Sequence, residues 1–149
     1  MRQYAGDYDV SGVELNARMI SIAKRNLTRA GLQADLKQGS VEALPYEDEE
    51  FDTVLNTMAF SAYPRGDPAL SEMKRVLKPS GRLVMIDINF PADRNRVGMA
   101  LTRLWQRAGD IIRDMGALFT KHGWKFEEKE IGGFGSVHLY VCRKIRSGS

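Results

Sequence analysis

The chain has 149 residues, of which 43% are hydrophobic and 28% charged, as in an ordinary soluble globular domain. Its net charge of +3 permits an anionic ligand without demanding nucleic acid, and a single cysteine excludes an internal disulfide. No apolar run approaches the ~20 residues of a membrane span, and the amino terminus has no signal-peptide core. We therefore expect a cytoplasmic protein with a single domain over residues 1–149, without a nucleic-acid or membrane partner.

The first predicted elements are a strand, a helix and a short second strand. The first strand lies within YDVSGVELN, residues 8–16, and ends on an acid, Glu14. Asn16 is a favourable helix cap. The helix that follows carries apolar residues at three- and four-residue steps until Gly31 stops it. Residues 32–37 then predict a short strand.

The middle of the chain continues this alternation. The polar residues 41–50 predict a short helical turn and a loop, and residues 51–56 predict a buried strand. Asp67 and Pro68 supply a cap and a first-turn proline for the next helix. Pro79 is expected to end that helix, because proline cannot continue it.

The last third predicts a turn, a strand, a long helix and a closing hairpin. A turn is expected at 78–81, and residues 83–88 (LVMIDI) are nearly continuous apolar sequence, typical of a strand covered on both faces. Residues 125–131 and 137–143 predict two strands, which pair most easily antiparallel because no helix separates them. Between 94 and 122 we predict the longest helix, with an apolar stripe of Leu101, Leu104, Ala108, Ile111, Met115 and Leu118. Because strands and helices alternate, the fold class is α/β.

Glu14 is the leading candidate for a binding residue. At the carboxyl end of a parallel strand, an acid can accept hydrogen bonds from the hydroxyl groups of a ribose. The alternative is an exposed acid that favours the dipole of the following helix. We expect structural roles for His122, His138 and Cys142, and their lack of clustering predicts no metal site.

Four segments together resemble one protein family. They are GVELN at 12–16, GSVEALPYEDEEFD at 39–52, NTMAFSAY at 56–63 and EMKRVLKPSGRLVMID at 72–87. Their order and spacing resemble the small-molecule branch of the class I S-adenosylmethionine-dependent methyltransferases (methyltransferase type 11), which includes quinone-biosynthesis C-methyltransferases. The resemblance covers nearly the whole chain. It implies a Rossmann-like, mostly parallel sheet with helices on both faces and a carboxyl-terminal antiparallel strand pair.

The resemblance implies a set of residues that hold the adenosine part of S-adenosylmethionine. Glu14 matches the acid that binds both ribose hydroxyl groups, and Leu15 matches a residue that packs on one face of the adenine. Ser40 stands where the family usually has an acid that accepts from the adenine amino group. Val41 matches a position whose backbone N–H reaches the adenine.

A second set is implied for the remaining parts of the site. Asn56 and Thr57 match the end of the strand that borders the methionine part of the cofactor. Phe60 and Tyr63 match positions on the acceptor-substrate side. No side chain stands out as a base, so we expect no dedicated catalytic residue.

The chain departs from the family pattern at its amino terminus. A G-x-G-x-G loop is expected roughly 20 residues before the acid, but only thirteen residues precede Glu14, and their two glycines, Gly6 and Gly12, are too far apart for such a loop. By the resemblance, residues 1–7 match the end of the family's first helix, and the first strand and its loop are missing. That strand is central in the family. We therefore expect the strands that end at Glu14 and Asn56 to pair directly or to have covered edges, in an amino-terminally truncated methyltransferase.

Three functions are compatible with these residues. The first is methyl transfer from S-adenosylmethionine to a small molecule, impaired by the missing loop. The second is a non-catalytic methyltransferase remnant that acts as a binding or dimerisation module. The third is a nicotinamide-dependent oxidoreductase, because an acid after a strand can also bind the ribose of NAD; the antiparallel pair and residues 43–52 (ALPYEDEEFD) count against it. A homodimer is expected, since unpaired strand edges favour a partner.

Overall fold

The computed structural model describes residues 8–145. The predicted turn at Gly6 and Asp7 and the match of residues 1–7 to a family helix lie outside the described residues. The chain divides into two compact units, residues 1–46 and 47–149. That both units form a single domain stays a prediction.

Residues 8–145 contain six strands and four α-helices. In chain order they are β1 (Ser11–Glu14), α1 (Ala17–Arg29), β2 (Asp35–Gln38), β3 (Phe51–Thr57), α2 (Gly66–Val76), β4 (Leu77–Ile88), α3 (Arg96–Ala108), α4 (Met115–Lys121), β5 (Trp124–Gly132) and β6 (Val137–Lys144). Two short 3₁₀ turns lie at Phe60–Ala62 and Gly133–Gly135. None of the described helices is long and apolar enough to cross a membrane.

The first unit consists of α1 and the parallel pair β1–β2. Asn16 caps α1 as predicted, because its side-chain oxygen accepts from the backbone N–H of Arg18 at 2.9 Å. Gly31, with φ +67°, adopts the left-handed conformation that ends a helix. The predicted strand at 32–37 begins later, at Asp35, because the N–H of Leu32 still bonds to the carbonyl of Leu27 at the helix end.

The second unit is built on one mixed sheet with the strand order β3-β4-β6-β5. β3 and β4 are parallel, whereas β6 runs antiparallel to both of its neighbours. The α/β class and the antiparallel carboxyl-terminal pair are thereby confirmed. The core of the second unit consists of large side chains from the sheet, the Phe60–Ala62 turn, α2 and α4. Among them are Phe60, Leu70, Met73, Leu77, Leu83, Met85, Phe119 and Tyr140.

Several predictions for the middle of the chain were wrong. Residues 41–50 form turns without a helix. β3 buries only Asn56, because β4 is its single partner in the described sheet. The predicted turn at 78–81 lies inside β4, opposite an irregularity in the register of β3. Of the two alternatives for the strands that end at Glu14 and Asn56, direct pairing is wrong, because β1 and β3 belong to different sheets among the described residues. The other alternative, edges that are covered in another way, stays a prediction.

The helix α2 begins and ends differently from the prediction. Arg65 occupies the cap position but its side chain does not cap the helix, and the helix ends at Val76, before Pro79. Asp67 caps nothing, because its carboxylate contacts Nε2 of His122 at 2.8 Å and the ammonium of Lys121. These two contacts, Lys121 first, lower the pKa of Asp67.

The predicted long helix at 94–122 is two helices, α3 and α4. Gly109 ends α3 in the left-handed region at φ +113°, and Asp114 caps α4 by accepting from the N–H of Ala117 at 2.9 Å. The predicted apolar stripe is correspondingly divided. Met115 is buried, but Leu104 and Ile111 are 60% and 43% exposed.

Gly98 in α3 is predicted to tolerate no side chain. A Cβ there would lie 2.3 Å from the carbonyl oxygen of Phe134 and 2.9 Å from Cγ of Pro91. Gly98→Ala should therefore lower the free energy of unfolding by at least ~1–3 kcal/mol, the usual cost of overpacking. Gly116→Ala in α4 is the matched control, because its nearest neighbours would be 3.5 Å away. Thermal unfolding of both variants checks the prediction, and equal midpoints would contradict it.

Cys142 is buried in β6 and is the single cysteine of the chain. Burial raises the pKa of its thiol to about 12, so the reactive thiolate is scarce at neutral pH. We expect no reaction with a disulfide reagent at about pH 8 in the folded protein and stoichiometric reaction in denaturant. Fast labelling without denaturant would show that β6 is accessible and would contradict the sheet packing.

Candidate cofactor and acceptor site

Glu14 is the last residue of β1 and its side chain is exposed. Oε1 accepts from the N–H of Asn16 at 2.9 Å, which holds the carboxylate at the start of α1. The register pairs Glu14 with Gln38, so this acid lies at the carboxyl edge of the β1–β2 pair. It borders a cavity of about 170 Å³ lined mainly by apolar residues of β1, α1 and β2. The group is thus positioned to accept hydrogen bonds from a ligand above the strand ends.

Ser40 and Val41 follow β2 at the same edge. The hydroxyl oxygen of Ser40 accepts from the N–H of Glu42 at 3.1 Å, and its carbonyl accepts from the N–H of Ala43 at 3.1 Å. This tight turn leaves Ser40 and Val41 half-buried. Leu15 is 70% exposed, so it presents a free apolar surface beside Glu14. The structure therefore brings the four residues predicted for adenosine to one end of the β1–β2 pair.

Asn56 lies near the carboxyl end of β3 and is only 7% exposed. Its Nδ2 donates to the hydroxyl of Tyr63 at 2.9 Å, while its Oδ1 has no hydrogen-bond partner among the described residues. A buried acceptor without a partner is costly, so such groups commonly mark a place where a ligand or water donates. The exposed Thr57 follows Asn56.

Phe60 and Tyr63 are held together with Asn56. Their rings meet edge to face with centroids 5.8 Å apart. Phe60 is 1% exposed, so it supports Tyr63 from below and presents almost no surface of its own. The four residues predicted for the methionine part and the acceptor therefore cluster in the second unit.

Sequence reasoning missed the side chains that hold this cluster. Asp87, near the end of β4, is 2% exposed, and its two oxygens accept from the N–H groups of Ser61 and Ile88 at 2.9 and 2.8 Å. Asp110 accepts from the hydroxyl of Ser61 at 2.9 Å. An acid ending an apolar strand is the signal that singled out Glu14, and it was present in LVMIDI as well.

Arg113 is the second missed residue. Its guanidinium donates to the backbone carbonyls of Phe60, Tyr63 and Pro64 and stacks on the Phe60 ring at 5.3 Å. Burial lowers the pKa of Arg113, opposed by the charges of Asp87 and Asp67. The arginine therefore fixes the loop that carries both aromatic residues.

The histidines are engaged away from this cluster. His122 ends α4 and contacts Asp67, as described above. His138 is 3% exposed, with Nδ1 2.6 Å from a Glu128 oxygen and Nε2 2.8 Å from the carbonyl of Gly135. Both contacts join β6 to its neighbouring strand and turn, which fits the structural role predicted for it.

The fold defines the class as a Rossmann-like α/β protein, a class whose members bind ligands at the carboxyl ends of their strands. A putative methyltransferase from Bacillus halodurans C-125 has the same fold, with a TM-score of 0.77 at 17% identity over 96% of this chain and 86% of that chain. Residues 1–85 match the family described as "Methyltransferase domain". The chain belongs to this family, whose cofactor is S-adenosylmethionine.

Curated relatives carry the same assignment. A probable phthiotriol/phenolphthiotriol dimycocerosates methyltransferase from Mycobacterium ulcerans is 41% identical over 83 residues, which are 56% of this chain and 31% of the relative. The demethylmenaquinone methyltransferase of Thermus thermophilus is 30% identical over 107 residues, which are 72% of this chain and 48% of the relative. The chain therefore spans less than half the length of these curated relatives.

Proposed function

We propose that this chain transfers the methyl group of S-adenosylmethionine to a small apolar acceptor. The observation that carries the proposal is a polar acceptor at a strand end in each unit of a chain of the methyltransferase family. These acceptors are the exposed carboxylate of Glu14 on β1 and the buried Oδ1 of Asn56 on β3, which has no partner among the described residues. Both are acceptors, as the hydroxyl groups and the ammonium of the cofactor require.

Each predicted residue has a proposed contact. Glu14 accepts from the ribose hydroxyl groups, and Leu15 covers one face of the adenine. Ser40 and Val41 contact the adenine edge. This assignment is supported by their common position at the carboxyl edge of β1 and β2.

The remaining residues are assigned to the methionine part and the acceptor. Asn56 and Thr57 border the methionine part, where the unpartnered Oδ1 can accept a hydrogen bond. Tyr63 forms the wall on the acceptor side, and Phe60 keeps its ring in place from the core.

Methyl transfer from this cofactor requires few functional groups from the protein. The sulfonium of the bound cofactor supplies an already activated methyl group, so the residues need to align the acceptor and exclude water. Both oxygens of Asp87 are occupied by backbone N–H groups, so it positions the loop and does not act as a base. We accordingly assign no catalytic residue.

The acceptor class is proposed from the relatives and the wall residues. The two relatives above are named for a phthiotriol dimycocerosate and for demethylmenaquinone, a lipid and a quinone. Tyr63, supported by the buried Phe60, gives the proposed acceptor side an aromatic wall, which suits an apolar molecule. A homodimer stays a prediction.

Methyl transfer can be followed with a radiolabelled methyl donor. The chain is incubated with labelled S-adenosylmethionine and a panel of demethylated quinones, fatty acids and polar amines, and the organic phase is counted. We expect label in a quinone or lipid product and a much lower yield with Tyr63→Ala. Label in the polar amines alone would contradict the acceptor class, and label in no product would contradict the activity.

A further inference from the structure

Helix α3 packs against the rest of the second unit through only a few of its residues. Gly98 and Thr102 are its buried residues. The Thr102 hydroxyl donates to the carbonyl of Asn89 at 2.8 Å, and the Phe134 carbonyl approaches Gly98 too closely for a side chain. The other residues of α3 are half-buried or exposed.

An apolar face lies on the outer part of this helix. Successive residues turn by about 100°, so one arc contains the α3 apolar face, defined as Val97, Leu101, Leu104, Trp105 and Ala108. Val97 is 51% exposed, Leu104 60% and Trp105 43%. The apolar side of a helix ordinarily packs against the core. In α3 this apolar side is exposed to solvent instead.

Phe134 adds a further exposed apolar group at the start of α3. Its carbonyl accepts from Nδ2 of Asn95, the cap of the helix, at 2.8 Å, and its residue exposure is 69%. Its φ of +54° is strained for a bulky side chain. Strain of this kind is retained mostly where a function requires it.

Three arginines lie beside the apolar face. Arg96, Arg103 and Arg107 follow one line along the helix, and all are exposed. The sequence of α3 contains no acid. The nearest acids in the chain, Asp93 and Asp110, already accept hydrogen bonds.

We propose that α3 is a membrane-contacting helix that lies on an anionic lipid surface. The α3 apolar face enters the boundary between headgroups and acyl chains, and the arginine row contacts the lipid phosphates. Basic amphipathic helices with tryptophan and leucine on the apolar side bind membranes in this way. This contact needs no membrane-spanning helix. The expectation of no membrane partner followed from the absence of a membrane-spanning segment, so it does not argue against the proposed surface contact.

The charges favour lipid over a second copy of the chain. A two-fold contact through α3 would gather six arginines, three from each copy, around one interface. No acid of α3 would compensate this repulsion. An anionic surface, in contrast, complements all three arginines at once.

The proposal is tested by flotation with vesicles, which needs no methyl transfer. The chain is mixed with vesicles rich in phosphatidylglycerol and, separately, with pure phosphatidylcholine vesicles. We expect flotation with the anionic vesicles that salt weakens. We also expect a blue shift of tryptophan emission, because Trp105 is exposed whereas Trp124, at 3% exposure, supplies a constant background.

Two variants and a control separate α3 from general charge. Arg96→Glu/Arg103→Glu/Arg107→Glu should weaken binding to anionic vesicles at least about 100-fold, since each basic residue near the surface contributes about fivefold and each glutamate adds repulsion. Leu104→Ser should remove the blue shift. The control, Arg18→Glu/Arg25→Glu/Arg29→Glu, makes the same charge change on exposed positions of α1 and should bind far better than the α3 triple variant.

Three outcomes would overturn the proposal. They are no binding of the unaltered chain to anionic vesicles, equal loss of binding in both triple variants, and light scattering that shows a dimer abolished by Leu104→Ser. Circular dichroism of each variant establishes that it is folded. A variant that unfolds is replaced by the milder Arg103→Gln/Arg107→Gln, for which weaker but measurable loss of binding is expected.

Discussion

Glu14→Gln is expected to weaken the binding of S-adenosylhomocysteine by about 10- to 100-fold. The variant removes the negative charge and one acceptor, and a hydrogen bond to a charged group contributes about 1.5–3 kcal/mol. Glutamine still offers an oxygen to the N–H of Asn16, which the carboxylate holds at 2.9 Å. The start of α1 should therefore be preserved, and the loss should appear in affinity and not in stability. Isothermal titration calorimetry measures it.

The control for this experiment is Asp35→Asn at the opposite end of the neighbouring strand. Asp35 begins β2, and it makes an exposed ion pair of 3.5 Å with Lys37. The Asp35→Asn variant loses the same charge in the same unit, but Asp35 lies away from the proposed ribose position. Unchanged affinity in Glu14→Gln, or an equal loss in both variants, would refute the ribose assignment.

Asp87→Ala is expected to lower the free energy of unfolding by about 2–5 kcal/mol. It leaves the buried N–H groups of Ser61 and Ile88 without their acceptor, and each such group costs about 1–3 kcal/mol. The Phe60–Ala62 turn loses its anchor to β4, so Tyr63 should also lose its fixed position. Urea unfolding followed by circular dichroism measures the stability.

Asp52→Ala supplies the comparison for Asp87→Ala. The Asp52 carboxylate on β3 is 80% exposed and pairs with Lys78 at 2.8 Å. An exposed ion pair contributes at most about 1 kcal/mol. If both variants were destabilised equally, the buried hydrogen bonds of Asp87 would not be the support that the geometry indicates.

The elements that the sequence predicted well are those with local signals. The helix α1 has a capping asparagine, a regular apolar period and a terminal glycine, all within one segment. The antiparallel β5–β6 pair follows from two strands joined by a short glycine-rich link. Such signals act between residues close in sequence, so they can be interpreted without knowing what packs against them.

The elements that the sequence predicted badly depend on distant contacts. Nothing in the apolar period across Gly109 indicates that α3 ends there, because the period continues into α4. The exposure of Leu104 is likewise invisible in the sequence, since an apolar stripe ordinarily predicts a buried face. The hydrogen bond between Ser61 and Asp87 joins residues 26 positions apart in the sequence, and the one between Ser61 and Asp110 joins residues 49 positions apart.

The candidate site likewise has residues that were predicted from the sequence and residues that were not. The resemblance named the residues at the strand ends, and the structure brings each proposed group together within its own unit. It did not name Asp87 and Arg113, which hold the loop by contacts to backbone atoms that any sequence could supply. The roles of the named residues stay predictions until ligand binding is measured.

Calorimetry of the unaltered chain with S-adenosylmethionine, S-adenosylhomocysteine and NAD tests most directly whether this chain binds the cofactor of a methyltransferase. We expect saturable binding of S-adenosylmethionine and S-adenosylhomocysteine and no binding of NAD. Binding of NAD without binding of either sulfur compound would contradict the assignment of this chain as a methyltransferase.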